Sequence, residues 1–198
     1  MVRVLVGPDT DDLDELYAVP PDRRGGPWLR VNMVGSVDGA ATGDSGKSGS
    51  LNNDVDKRVF HHLRSAADVI VVGAGTARTE GYRPTDRPIV VVSRGKELPE
   101  GLRDAPDGDV LLMPLDEPAA FKQSLVDRGW TSILCEGGPS LLGDLLAAGV
   151  VDELCTTTVP LLVGGDHRRI VSGPPVDVPL SLHTLLESDG TLLARWLV

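Results

Sequence analysis

The chain has 198 residues, a net charge of −10, and 41% hydrophobic but only 4% aromatic side chains. That length suits one domain with one core, and the acidic balance argues against a nucleic-acid-binding or membrane-surface protein, where a basic stripe is expected. No charged-then-apolar leader opens the chain, and no apolar run approaches the ~18 residues of a membrane helix. Cys135 and Cys155 lie in apolar, strand-like runs without metal-ligand spacing. They are expected to be small buried hydrophobes in a cytoplasmic protein that needs no metal.

Residues 1–27 are expected to form an N-terminal arm of the domain. They carry an acidic patch (Asp9, Asp11, Asp12, Asp14, Glu15), then Pro20-Pro21 and Gly25-Gly26. Trp28 to Val34 alternates like a strand, and Ser36 to Gly49 is a glycine-rich loop. Asn52 or Asn53 can cap a helix running to about Ser65, with Val55, Val59, Phe60 and Leu63 on one face. Asp68–Val72 and Pro88–Val92 are apolar strands of the kind covered on both sides, and Val110–Met113 is a weaker one. Asp116–Arg128 has the acidic start and basic end that suit a helix dipole. Thr131–Cys135 is a strand, and Pro139 opens the next helix. Asp152–Val159 is strand-like, Pro160–Gly165 is a loop, and Leu180–Glu187 with Thr191–Val198 predicts a terminal hairpin. The fold class is therefore α/β, in three layers. A mainly parallel sheet lies between helices, with the hairpin as an antiparallel edge.

Ligands in open α/β sheets bind beyond the carboxyl ends of strands, and four loops stand there. Glu136-Gly137-Gly138 joins a strand to a helix that starts Pro139-Ser140-Leu141, which leaves free N–H groups suited to a pyrophosphate. Gly73-Ala74-Gly75-Thr76 is a G-x-G turn that lacks the third glycine of a dinucleotide fingerprint. Ser93-Arg94 follows the next strand. A hydroxyl and a guanidinium there suit a 2′-phosphate, which favours NADPH over NADH. Ser36-Val37-Asp38-Gly39 could point a carboxylate into the cleft, where burial would raise its pKa enough for it to donate a proton.

Three stretches carry a resemblance: NMVGSVDGAAT (32–42), HHLRSAADVIVVGAGTAR (61–78), and ILCEGGPSLLGDLLAAGVVDEL with TTVPLLVGG (133–154, 157–165). In this order and spacing they resemble the pyrimidine reductases of riboflavin biosynthesis, which have a dihydrofolate-reductase-like fold. The resemblance spans about Trp28 to the C-terminus, so 28–198 would be a single reductase domain. It implies NADPH-dependent reduction of 5-amino-6-(phosphoribosylamino)uracil by hydride transfer to C1′, usually in a homodimer. It also implies site roles. Asp38 would be the active-site carboxylate, supplying or steering the proton directly or through water, with Asn32 and Ser36 beside it. Gly73 to Thr76 and Gly164 would bind the cofactor, Ser93 and Arg94 its 2′-phosphate, and Gly137 to Leu141 its pyrophosphate. Glu136 would face the nicotinamide or the substrate.

Two departures bear on the substrate. The family's zinc deaminase module is absent, so an already deaminated pyrimidine is expected. The D-N-P-x-L-T-x-R segment that helps hold the ribose phosphate is replaced by Arg78-Thr79-Glu80-Gly81-Tyr82-Arg83-Pro84. Arg83 or Arg87 could substitute, and Lys47 is a further phosphate contact to test. One of His61 and His62 should pack and the other be exposed. The basic run His167-Arg168-Arg169 would touch the cofactor, touch a second subunit, or be solvated. Two alternatives stay open: an NADPH-dependent reductase of a dihydropteridine or other heterocycle, and a non-catalytic nucleotide-binding protein.

Overall fold

Val69–Gly73 is apolar at every step because helices cover both of its faces. Val69 and Val71 enter one core cluster, and Ile70 and Val72 enter another. In the computed structural model, which describes residues 2–198, nine strands form one sheet. They are β1 (Arg3–Val6), β2 (Trp28–Ser36), β3 (Val69–Gly73), β4 (Ile89–Val92), β5 (Val110–Met113), β6 (Ser132–Cys135), β7 (Glu153–Val159), β8 (Ser181–Ser188) and β9 (Thr191–Leu197). Their spatial order is β1-β8-β9-β7-β2-β6-β3-β4-β5. The run from β7 to β5 is parallel, whereas β9, β8 and β1 pair antiparallel.

The helices are α1 (Leu13–Leu16), α2 (Asp54–Ala66), α3 (Ala74–Glu80), α4 (Pro118–Val126) and α5 (Pro139–Ala147). Phe121 and Leu125 of α4 and Leu141, Leu142 and Leu145 of α5 pack on one face of the sheet. On the other face lie Leu16 of α1, Val59 and Leu63 of α2, and Ala74 and Ala77 of α3. Asn53 is the residue that caps α2, its side chain accepting from the Asp56 N–H. Cys135 and Cys155 are free and buried.

Two expectations change. The N-terminal segment contributes a strand: β1 pairs with β8 and forms the edge of the sheet, so the terminal hairpin lies inside it. β1 is only four residues long and mostly exposed, and it leaves no periodic signal. The helix expected over 116–128 spans only Pro118–Val126. Glu117 makes no side-chain cap, and Arg128 falls beyond its end.

Candidate active site

β2, β3 and β6 end at a common open cleft of about 940 Å³. Its floor is built where the β6–α5 turn meets the β3–α3 turn. The Gly73 N–H donates to the Gly137 carbonyl (2.7 Å). Gly137 has φ +78°, and a Cβ there would come within 2.8 Å of Met33 Sδ. A Cβ on Gly138 would collide with Thr76 Oγ1. The positive φ thus favours glycine at 137, a side chain at 138 would have to displace Thr76, and the Gly137–Gly138 peptide is cis. α5 begins at Pro139 with no side-chain cap, so its first N–H groups face the cleft unpaired by protein side chains. A site with a fixed glycine floor, an uncapped helix start and open space at Gly75 fits an elongated anionic ligand such as a dinucleotide.

One edge of α2 forms a wall. Asp56, Phe60 and Arg64 recur at intervals of four, so they stand on one stripe, and all three line the cleft. Val59 and Leu63 occupy the neighbouring core-facing stripe. Phe60, expected on the core face, therefore belongs to the cleft. Arg64 lies 4.3 Å from the centre of the Phe60 ring and 5.4 Å from that of Tyr82. Its Nε and Nη2 grip Glu136 at 2.6 and 2.7 Å, and the Tyr82 hydroxyl donates to the same carboxylate at 2.5 Å. Burial opposes the charge on Arg64, but the hydrogen bonds and charge of Glu136 outweigh it and raise its pKa. Burial and the nearby Glu136 charge push the Tyr82 phenol well above its usual range, so it remains a donor. Glu136 does face the cleft, with its oxygens already held by two partners.

Asp38 departs furthest from expectation. It is exposed, lies outside the cleft lining, and accepts from Ser36 Oγ (2.5 Å) and from the Val163 and Gly164 N–H groups (3.2 and 2.7 Å). The Ser36 hydroxyl, followed by those two amides, lowers its pKa to about 2. Its pKa is thus lowered where burial was expected to raise it. The carboxylate is ionised and pins the loop after β7. Ser36 is occupied in the same turn, accepting from the Ala40 N–H at 2.9 Å.

The other expected residues divide. Asn32, Gly73, Gly75, Thr76, Gly138, Pro139, Ser140, Leu141 and Arg83 line the cleft. Ala74 is buried beside it, and Gly137 lies behind it against Met33. Lys47, Gly164, Ser93 and Arg94 are outside the lining; the Ser93 N–H pairs with the Met113 carbonyl, and Arg94 is exposed. Arg87 donates to the Ser65 carbonyl at 2.5 Å and is also outside the lining, whereas His167 and Arg168 are within it. His61 is exposed, and His62 packs near Tyr17. Sequence reasoning missed Asp56, Arg64 and the Tyr82 contact. The readable signal was the four-residue spacing of Asp56, Phe60 and Arg64 beside the apolar stripe.

This sheet order, with a cleft at the strand carboxyl ends, is a dihydrofolate-reductase-like fold. An Enterococcus faecalis dihydrofolate reductase solved with NADP(H) matches with a TM-score of 0.57 at 17% identity, covering 86% of this chain and 95% of that one. Residues 27–192 match the RibD C-terminal domain, and the chain belongs to that family. A pyrimidine reductase-like protein from Corynebacterium diphtheriae is similar with a TM-score of 0.77 at 24% identity, covering 94% and 98% of the two chains. The riboflavin biosynthesis protein RibD of Mycobacterium tuberculosis is 29% identical over 154 residues, 72% of this chain and 45% of that protein. This chain thus spans about half the length of that relative. A 2,5-diamino-6-ribosylamino-4(3H)-pyrimidinone 5′-phosphate reductase from Methanothermobacter thermautotrophicus is 26% identical, covering 76% of this chain and 86% of that one.

Proposed function

We propose that the chain is an NADPH-dependent reductase of riboflavin biosynthesis, acting at C1′ of a 5-phosphoribosylamino pyrimidine. The observation that carries this reading is the glycine crossing at Gly73 and Gly137–Gly138. It presents the uncapped start of α5 to the same cleft that Arg64, Glu136 and Tyr82 wall. When bound, the reduced nicotinamide supplies the hydride. Gly75, Thr76 and Gly138 to Leu141 hold the pyrophosphate, and Ser93 and Arg94 at the end of β4 receive the 2′-phosphate. Asn32 and the α2 stripe face the pyrimidine, while Glu136 fixes the Arg64 and Tyr82 wall against it. Arg83 and Arg168 of the cleft lining bring local positive charge to the substrate phosphate, which the overall charge of −10 opposes. Asp38 and Gly164 act from outside by holding the loop after β7 in place. We place β1 at the sheet edge of one reductase domain. The reading also has a cytoplasmic homodimer, supported by two free buried cysteines and by the exposed apolar Val37 and Leu162.

The test is NADPH oxidation with the phosphoribosylamino pyrimidine in its 2-amino and 2-oxo forms, and with dihydrofolate, the product being checked by mass for two added hydrogens. Turnover of a pyrimidine form is expected. Turnover of dihydrofolate alone would replace the reading with a pteridine reductase. Binding of NADPH with no turnover of any of the three would leave a nucleotide-binding protein. Arg94→Ala should weaken NADPH binding about tenfold or more and leave NADH binding unchanged. Equal losses for both would remove the 2′-phosphate role.

A further inference from the structure

Four carboxylates line the cleft: Asp56, Glu80, Glu136 and Asp166. Glu136 is held by Arg64 and Tyr82, Glu80 accepts the Ser48 N–H at 2.8 Å, and Asp166 sits exposed on a loop. Asp56 differs from all three. It is 4% exposed, and among the described residues no cation forms an ion pair with it. We propose that Asp56 is the catalytic acid of the reduction, holding a proton in the cleft and passing it to the substrate's ribose ring oxygen. This rests on the reductase reading above.

Burial without an ion pair favours the neutral form of the Asp56 carboxyl. Against it act Thr157 of β7 and the Asn52 amide, which in its hydrogen-bonding orientation donates to Oδ2 at 3.2 Å. Lys57 on its own helix is the charged neighbour that bears on it. Further along the same helix stripe, Arg64 is paired with Glu136, and Glu80 of α3 accepts from the Ser48 N–H. Burial raises the pKa of Asp56 against the weaker pull of Thr157 and Lys57. A helix-capping role does not account for the residue. Its N–H donates to Asn53 Oδ1 at 3.1 Å, but the Asn53 N–H does not donate back to its carboxylate, as a capping box would require.

In the step, the C1′–O bond of the ribose ring breaks and its electron pair stays on oxygen. The Asp56 proton goes to that oxygen, and the nitrogen lone pair closes a C1′=N iminium. The hydride then adds to C1′, which gives the open-chain amine. Water at the cleft mouth returns a proton to the carboxylate. The net addition is one hydride and one proton.

The test is Asp56→Asn, with Asp56→Glu as the conservative variant. Asp56→Asn should lower kcat for the pyrimidine about 100-fold or more with NADPH affinity unchanged. The wild-type kcat should fall as pH rises through the carboxyl's titration, the Asn variant should lose that limb, and Asp56→Glu should restore it. Wild-type kcat and pH profile in Asp56→Asn would overturn the proposal. Independently of turnover, carbon-13 NMR of aspartate-labelled wild-type protein should show Asp56 protonated above the ordinary carboxylate range. Titration within that range would overturn the proposal even if the Asn variant fails to fold. Absence of pyrimidine turnover in the wild type would instead remove the reductase reading, and the titration of Asp56 would still decide whether the cleft holds an acid.

Discussion

Two glutamates of this sheet are both gripped by arginine, yet they do different work. Glu153 opens β7 at the end of the sheet away from the cleft and is fully buried. It accepts from Arg195 Nε (2.6 Å), Arg30 Nη2 (2.9 Å) and Trp28 Nε1 (2.8 Å). The same two arginines reach on to the carbonyls of Leu16, Tyr17 and Ala18, so the cluster fastens the N-terminal segment to the sheet. Glu136 follows β6 at the carboxyl end and lines the cleft, with one arginine and one phenol. The pairing chemistry is shared, but the strand end decides the role. At the amino end the pair is sealed and structural, and at the carboxyl end it becomes a wall for ligand.

The largest expected effect breaks the sealed pair. Glu153→Gln leaves Arg30 and Arg195 buried without their counter-charge and should cost about 3 kcal/mol of unfolding free energy. Denaturant titration would measure this. Burial alone would raise the Glu153 pKa, but Arg30 and Arg195 outweigh it and lower it from 4.5 to about 2. The folded carboxylate therefore resists protonation more than the unfolded one. Its stabilisation is complete above the unfolded value of 4.5 and is lost as pH falls through the folded value of about 2. Glu153→Gln should flatten the stability curve in that window. An unchanged acid limb would show that the cluster adds little to folding.

The legible parts of the fold are those with local causes. The runs IVV and PIVVV are apolar throughout because both their faces are covered, and Gly137-Gly138-Pro139 marks a strand-to-helix turn in any context. The site was half legible for the same reason. Its glycine turns are local, but its electrostatics are not. Asp38 owes its low pKa partly to amides at 163 and 164, which are 125 and 126 residues away in sequence. Arg64 and Glu136 are 72 residues apart. β1 was illegible because four mostly exposed residues acquire meaning only when β8 lies beside them.

An intermediate effect sharpens the contrast at the cleft. Glu136→Gln keeps the shape of the side chain but loses the charge that orients Arg64 and Tyr82. It should lower kcat/KM for the pyrimidine about tenfold or more while costing about 2 kcal/mol of stability, less than Glu153→Gln because Arg64 stands at the cleft wall and regains water. Steady-state kinetics with thermal melting would check both values. A destabilisation equal to that of Glu153→Gln, with kinetics intact, would make the two clusters equivalent and dissolve the distinction between strand ends.

The smallest effect concerns Asp38, a carboxylate at the carboxyl end of the sheet that lies outside the cleft lining. With a pKa near 2 it is ionised throughout the neutral range, so it cannot be the group whose titration shapes catalysis there. Asp38→Asn should leave the neutral-range pH profile of kcat unchanged. The substitution weakens the bonds to the Val163 and Gly164 N–H groups, so amide hydrogen exchange should quicken at those two positions and leave the core strands unaffected. kcat should fall by less than it does in Glu136→Gln, because the loop is loosened while the cleft wall stays intact. A shifted neutral limb in Asp38→Asn would instead make Asp38 a titrating acid in the working enzyme. The strand end alone would then mark a catalytic carboxylate, and a place in the cleft lining would no longer be what a catalytic role requires.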